Sequence, residues 1–309
     1  MEKQNSYIFN FSFFVFKILF IAILIGSIIS FAFEKFIIFE TQTNGAYKVH
    51  RILHDNYQNE IPIFGSSRAG ANIIPSKLGE NYFNYAISGG NTNVWLFFLE
   101  QELKKNKNTP ILINYDLGGL RYGNGDIGNY IPNWNSTKDI ITYDKKPYYN
   151  IPFFKYFGHY EHYFRKFLNE KLEVTKIMDN GGIFELNNLT KDRFNEIVVK
   201  RKNTPHIFKM EQTLLEKMND LISSSNRQII FIVPAYHESF FFNESNMNED
   251  NNFLSFLNKK KNVEVIDLRH SIIKDEYFFD TSHLTYNGAK KFTAKLKETL
   301  QKINSIDNE

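Results

Sequence analysis

One stretch of the chain is apolar almost throughout. From Phe11 to Phe33 it is broken only by Ser12, Lys17, Gly26, Ser27 and Ser30. About 20 apolar residues at ~1.5 Å each cross the hydrocarbon of a bilayer. Lys17 lies near one end of the run, where a long side chain snorkels to the headgroups. A secretory signal peptide calls for a shorter run and a small-x-small cleavage site, and Ser30-Phe31-Ala32 is a poor substitute. The pattern predicts an uncleaved membrane anchor over residues 1–35, meeting the bilayer through residues 11–33. Lys3 and Lys17 on the amino-terminal side give a weak bias toward a cytoplasmic amino terminus. The remaining ~270 residues are then expected on the extracytoplasmic side.

Beyond the anchor the pattern changes to short apolar runs alternating with amphipathic stretches. Ile61–Phe64, Tyr82–Ile87, Ile111–Ile113, Gln228–Val233 and Val263–Leu268 read as strands. The first three are apolar but for Asn84, as strands buried on both faces of a parallel sheet are. Asn93–Lys105, Met210–Ser223 and Phe253–Leu257 read as helices, and a closing helix carries Ala289, Phe292, Leu296, Leu300 and Ile303 on one face. The expected fold is a three-layer α/β/α sandwich around a mainly parallel five-stranded sheet. It occupies residues 58–305, after a connector at 36–57 with a short helix over 47–57. An insertion at 118–210 interrupts it. Residues 118–150 are rich in Gly, Asn, Pro and Tyr. Residues 151–210 read as helical and aromatic, around Phe153, Phe154, Tyr156, Phe157, Tyr160, Tyr163, Phe164 and Phe167. Such a stripe reads as packing before it reads as a binding surface.

Composition narrows the function classes. The 309 residues carry a net charge of +3, with no dense basic stripe interleaved with aromatics, so nucleic acid is not an expected partner. There is no cysteine, which excludes disulfides, cysteine-ligated zinc and thiol catalysis. No third ligand stands beside Asp280 and His283 at metal-site spacing, so neither a metal nor a cofactor is expected.

Chemistry concentrates at the ends of the predicted strands. The first ends in Gly65-Ser66-Ser67-Arg68, where open α/β sheets place ligands. A serine there is either a nucleophile or a helix cap. The second strand runs into Ser88-Gly89-Gly90-Asn91-Thr92, and the closing helix follows Asp280-Thr281-Ser282-His283-Leu284-Thr285. A serine hydroxyl needs a base, histidine serves as one, and a carboxylate fixes the histidine tautomer. Asp280, three residues before His283, reaches the imidazole of its own loop. His237, after another strand end, reads as a loop histidine.

These motifs, in this order, resemble the SGNH (GDSL-type) hydrolase superfamily, whose domain is flavodoxin-like. The resemblance covers roughly residues 58–303 without the insertion. It implies Ser67 as nucleophile, His283 as base and Asp280 as its partner, with Ser66 second to Ser67. It also implies Gly89 as an oxyanion donor. The family's Gly-x-Asn-Asp motif is not recognisable at Asn114-Tyr115-Asp116-Leu117-Gly118, so Asn91 is a stand-in for its asparagine. Arg68 either meets an anionic substrate group or braces the turn. Ser66 replaces the usual aspartate, as in membrane-anchored relatives that modify cell-surface polymers, such as alginate O-acetylation proteins and the D-alanyl transfer protein of teichoic acid assembly. That likeness implies an esterase or O-acyltransferase acting on a cell-envelope glycan or polysaccharide, with a membrane acyl-donor protein as a further partner. The alternative is an inactive SGNH-like envelope protein that binds glycan or an assembly partner.

Overall fold

Alternation along the strands divides the hydrophobic residues between two cores. Phe64, Ile111, Ile113, Ile229, Phe231 and Val233 point to one face of the sheet, and Ile63, Leu112, Ile230 and Ile232 to the other. A computed structural model describes residues 2–122, 156, 160–172, 176–241 and 247–306. Its strands are β1 (Ile61–Phe64), β2 (Tyr82–Asn84), β3 (Ile111–Asn114), β4 (Gly119–Leu120), β5 (Lys176–Asp179), β6 (Gly182–Glu185), β7 (Lys209–Met210), β8 (Ile229–Val233) and β9 (Val263–Asp267). The central sheet has five strands in the order β2-β1-β3-β8-β9, every pair parallel. The order reverses between β1 and β3, which makes the crevice at their carboxyl ends the topological switch point.

Helices cover both faces. On one side lie α2 (Gly45–His54), α5 (Thr92–Leu103), α8 (Gln212–Ser223) and α9 (Met247–Leu257). On the other lie α3 (Ser67–Asn72), α4 (Pro75–Leu78) and α10 (Tyr286–Ile306), joined by Phe184 of β6 and by Phe194 of α7 (Lys191–Lys202). The remaining helices are α1 (Glu2–Phe33), which runs on into a π-helical turn over Glu34–Ile38, and α6 (Tyr160–Leu172). Residues 11–38 form one helical stretch that includes 18 consecutive residues of mean hydropathy 2.5, long and apolar enough to cross a membrane. The segment expected as a connector is built into the domain instead. Asn44 caps α2, and Val49 and Ile52 are buried in the first core.

The insertion departs from its helical expectation. It contains α6 and α7, but between them β5 and β6 pair antiparallel. The signal was present in Asn180-Gly181, both with positive φ (+40° and +86°), the pair that a tight hairpin turn requires. Gly181 is also pressed against β2, since a Cβ there would lie 2.2 Å from the Asn84 carbonyl. Of the aromatic run, Tyr156 and Tyr163 are buried and Phe164 is exposed. Phe153, Phe154 and Phe157 lie outside the described residues.

Candidate functional site

The turn after β1 is built so that one serine caps a helix and the next is presented. Gly65 has φ +150°, and a Cβ there would approach Ala69 Cβ at 2.8 Å and Asn114 Cβ at 2.9 Å, so no larger residue fits. Ser66 then adopts extended geometry as N-cap of α3, and its buried Oγ accepts from Arg68 N at 3.3 Å. Ser67 is the first helical residue. Its hydroxyl stands in a cleft of about 290 Å³, lined among others by Ser88, Lys166, Gly181, Glu185 and His283.

Ser67, His283 and Asp280 form one hydrogen-bonded chain. His283 Nε2 lies 2.8 Å from Ser67 Oγ, and His283 Nδ1 lies 2.8 Å from Asp280 Oδ2. A carboxylate only accepts, so Nδ1 carries the proton and Nε2 is left to accept from the serine. Asp280 Oδ1 accepts from the backbone N–H groups of Ser282 and His283, each at 2.8 Å. Burial pushes the Asp280 carboxyl up. The His283 hydrogen bond and charge and the two backbone donors outweigh it, bringing the pKa down to about 2. Asp280 is therefore ionised throughout the neutral range. The arrangement can deprotonate a serine hydroxyl as it attacks and stabilise the imidazolium that forms.

The other residues singled out from the sequence do not line this cleft. Ser66 faces a small recess behind the turn, shared with Asn91, Asn114 and Asp116. Asn91 points its amide to the Tyr122 carbonyl at 3.2 Å, away from the cleft, so it does not stand in for an oxyanion asparagine. Asn114 gives its amide to Asp116 at 2.9 Å. Arg68 pairs with Asp116 at 2.9 Å and lies over the Tyr236 ring, which makes it a brace of the turn. Gly89 is exposed, with φ +75°, beside Ser88, which does line the cleft. His237 is a packed strut. Its ring meets Phe194 and Phe278 edge-on, each at 5.4 Å, Nδ1 accepts from Ser239 N, and Nε2 bonds Asp275. Ser, His and Asp meet here too, but Ser239 is 1% exposed and beyond reach of a substrate.

A protein-family model matches residues 138–305, more than half of the chain. The chain belongs to a family of unknown function. The matched region holds Asp280, His283 and the β5–β6 hairpin and begins after Ser67. No curated protein matches the chain. Among solved structures, it is similar to a Streptococcus pneumonia protein provisionally named a platelet activating factor. The two share 14% identity over 86% of this chain and 95% of that one, with a TM-score of 0.43. A likeness at that level bears on neither fold nor function.

Three further residues shape the site without a motif to announce them. Asn72, at the end of α3, is fully buried and holds the histidine loop on both sides of His283. It donates to the Ser282 carbonyl at 3.2 Å and accepts from Leu284 N at 2.9 Å. Lys48 of α2 is also buried and donates to the carbonyls of Ala86 (2.6 Å) and Gly181 (2.7 Å), tying the hairpin to the end of β2. Burial, with Lys166 nearby, lowers its pKa to about 7. Glu170 of α6 accepts from Gln42 N, Thr43 N and Thr43 Oγ1, which fixes the segment that borders the cleft. These are contacts between residues far apart in sequence, and no local pattern marks them. Asn72→Ala leaves a buried carbonyl and a buried N–H unpaired. We expect it to lower the unfolding free energy by about 2–3 kcal/mol, read by denaturant titration of the full chain in detergent. A loss below about 0.5 kcal/mol would show that the loop stands without it.

Proposed function

We propose that this chain is a serine-dependent esterase or O-acyltransferase of the SGNH type. The observation that carries the reading is the unbroken hydrogen-bond chain Ser67–His283–Asp280 at the mouth of a cleft, at the switch point of the sheet. In this reading Ser67 Oγ attacks an ester carbonyl while His283 Nε2 takes its proton. Asp280 stabilises the resulting imidazolium. The oxyanion forms beside the start of α3, where the Ser67 N–H, at the first helical position, has no partner within the helix. His283 then returns the proton to the leaving alcohol, and the acyl group stays on Ser67. Water or a sugar hydroxyl, deprotonated by the same histidine, removes it. The modest cleft favours a short acyl group such as acetyl. The apolar stretch at 11–38 serves as the anchor, and the bias of Lys3 and Lys17 puts the domain outside the cytoplasm. A cell-envelope glycan is then the acceptor or substrate, as in the membrane-anchored relatives the motifs resemble.

One observation favours a second reading. The amides of Asn91 and Asn114 are both turned to other partners, which leaves the oxyanion one side-chain donor short. An inactive domain that binds glycan or an assembly partner would keep such a site. The two readings part on one experiment. The full chain in detergent is treated with a fluorophosphonate probe and digested, and the labelled peptide is mapped. The enzyme reading expects a covalent adduct on Ser67 together with release of p-nitrophenol from p-nitrophenyl acetate. An unlabelled chain that releases nothing above buffer would sink it.

A further inference from the structure

We infer that α6 lies in the headgroup layer of the bilayer, with Phe164, Leu168 and Leu172 turned into the lipid. The inference rests on reading α1 as a membrane span. The charges flanking that span fix its depth. Between Lys17 and Glu34 no residue is charged. At ~1.5 Å per residue this interval is roughly 24 Å, and snorkelling at both ends extends it to the ~30 Å of a hydrocarbon core. Glu34 and the π-helical turn therefore stand at the far boundary.

The domain is clamped to that boundary through α6. Ile38, Ala46, Tyr156 and Tyr163 form a small core of their own, with Phe33, Ile37, Phe39 and Tyr160 packed on it. Tyr156 donates to Glu34 Oε1 at 2.8 Å, and the Phe33 and Tyr160 rings meet edge-on at 4.8 Å. At the other end of α6, Lys171 pairs with Glu40 at 3.6 Å, and Glu170 holds Gln42 and Thr43. Tyrosines are enriched at this depth, where the ring is in apolar surroundings and the hydroxyl is wet.

One face of α6 is used by these contacts, and Lys166 on another borders the cleft. A third face remains. Phe164, Leu168 and Leu172 are spaced four residues apart, a single stripe on a helix, and are 48%, 39% and 65% exposed. Phe36, in the turn itself, is 60% exposed. An apolar stripe on a helix fixed at headgroup height fits an interfacial helix whose apolar side enters the acyl boundary. The cleft, walled in part by the same helix, then opens beside the membrane surface. Substrate presented there reaches Ser67 without leaving the interface.

The chain has no cysteine, so single cysteines can be placed and spin-labelled in the full-length protein. Labels at Phe164→Cys, Leu168→Cys and Leu172→Cys are compared in phosphatidylethanolamine–phosphatidylglycerol nanodiscs with Ile21→Cys within α1 and Ala294→Cys on the exposed side of α10. The readout is collision with oxygen, which partitions into lipid, against collision with a water-soluble nickel chelate. Expected is an oxygen-to-nickel ratio several-fold above that of position 294 at all three α6 sites, approaching that of position 21. Ratios at 164, 168 and 172 equal to that at 294, with 21 in lipid, overturn the placement of α6 and leave the anchor standing. Low collision with both reagents at the α6 sites overturns it in favour of a protein cover. A water-like ratio at 21 removes the anchor and the inference together. None of these outcomes depends on ester turnover.

Discussion

Ser67→Ala is expected to lower ester turnover by about 10⁴–10⁶-fold, to the level left by binding and oxyanion stabilisation alone. His283→Ala should cost about the same, and the double variant little more than either single one, because the two residues act as a unit. Ser66→Ala separates the two serines. Its Oγ is buried and already accepts from Arg68 N, so its loss removes a helix cap worth about 1 kcal/mol and leaves the attacking hydroxyl in place. We expect turnover within ~10-fold of wild type for that variant, since a cap loss of that size is worth about a factor of ten at most. Steady-state rates on p-nitrophenyl acetate, with probe labelling on the same samples, decide the matter. A Ser67→Ala protein that still turns over and labels, beside a silent Ser66→Ala, would transfer the nucleophile to Ser66.

The second large effect is on stability, at a site remote from any motif. Asp250 of α9 is fully buried and holds three groups. Oδ1 accepts from the Tyr115 hydroxyl at 2.7 Å and from Gly118 N at 2.9 Å, and Oδ2 meets His206 Nε2 at 2.6 Å. Burial and the adjacent carboxylate push the Tyr115 phenol well above its ordinary pKa, so it stays a donor. This carboxylate fastens the chain that leaves β3, including Asp116, the partner of Arg68 beside the serine turn. Asp250→Ala removes one buried partner from each of three polar groups at once. A loss of about 3–5 kcal/mol is expected, with a fall in Tm of roughly 10 °C. Asp250→Asn keeps an acceptor for Tyr115 and Gly118 and should recover about half. Thermal unfolding followed by circular dichroism measures both. A Tm for Asp250→Ala within about 2 °C of wild type would show the network to be dispensable.

The sheet was legible because parallel strands must be apolar on both faces. Ile61–Phe64, Ile111–Asn114 and Ile229–Val233 announce themselves through burial alone. Ser67, Asp280 and His283 were legible as a pattern of residue types at strand and loop ends, and their proximity follows from where the switch point falls. The hairpin over residues 176–185 was not read, although Asn180-Gly181 is a turn signal, because its strands are short and half-polar and sit between helical stretches. Asn91 and Arg68 were read by position in a motif, and position did not determine which way their side chains turn. Their partners, the Tyr122 carbonyl and Asp116, come from the segment after β3, whose course no local pattern gives. Asn72, Lys48 and Asp250 act through partners 38 to 212 residues away, a kind of contact that leaves no periodic trace.

Ser67 and His283 are separated by 216 positions, and the loop carrying the histidine is held by Asn72 and backed by α10. The order of synthesis therefore matters. At ~5–20 residues per second the ribosome delivers the histidine roughly 10–40 s after the serine. Through that interval the nascent chain carries a serine without its base. Under the proposed reading, the hydrogen-bonded Ser67–His283–Asp280 chain assembles only after the histidine loop has been made, and a product terminated before His283 is expected to be inert.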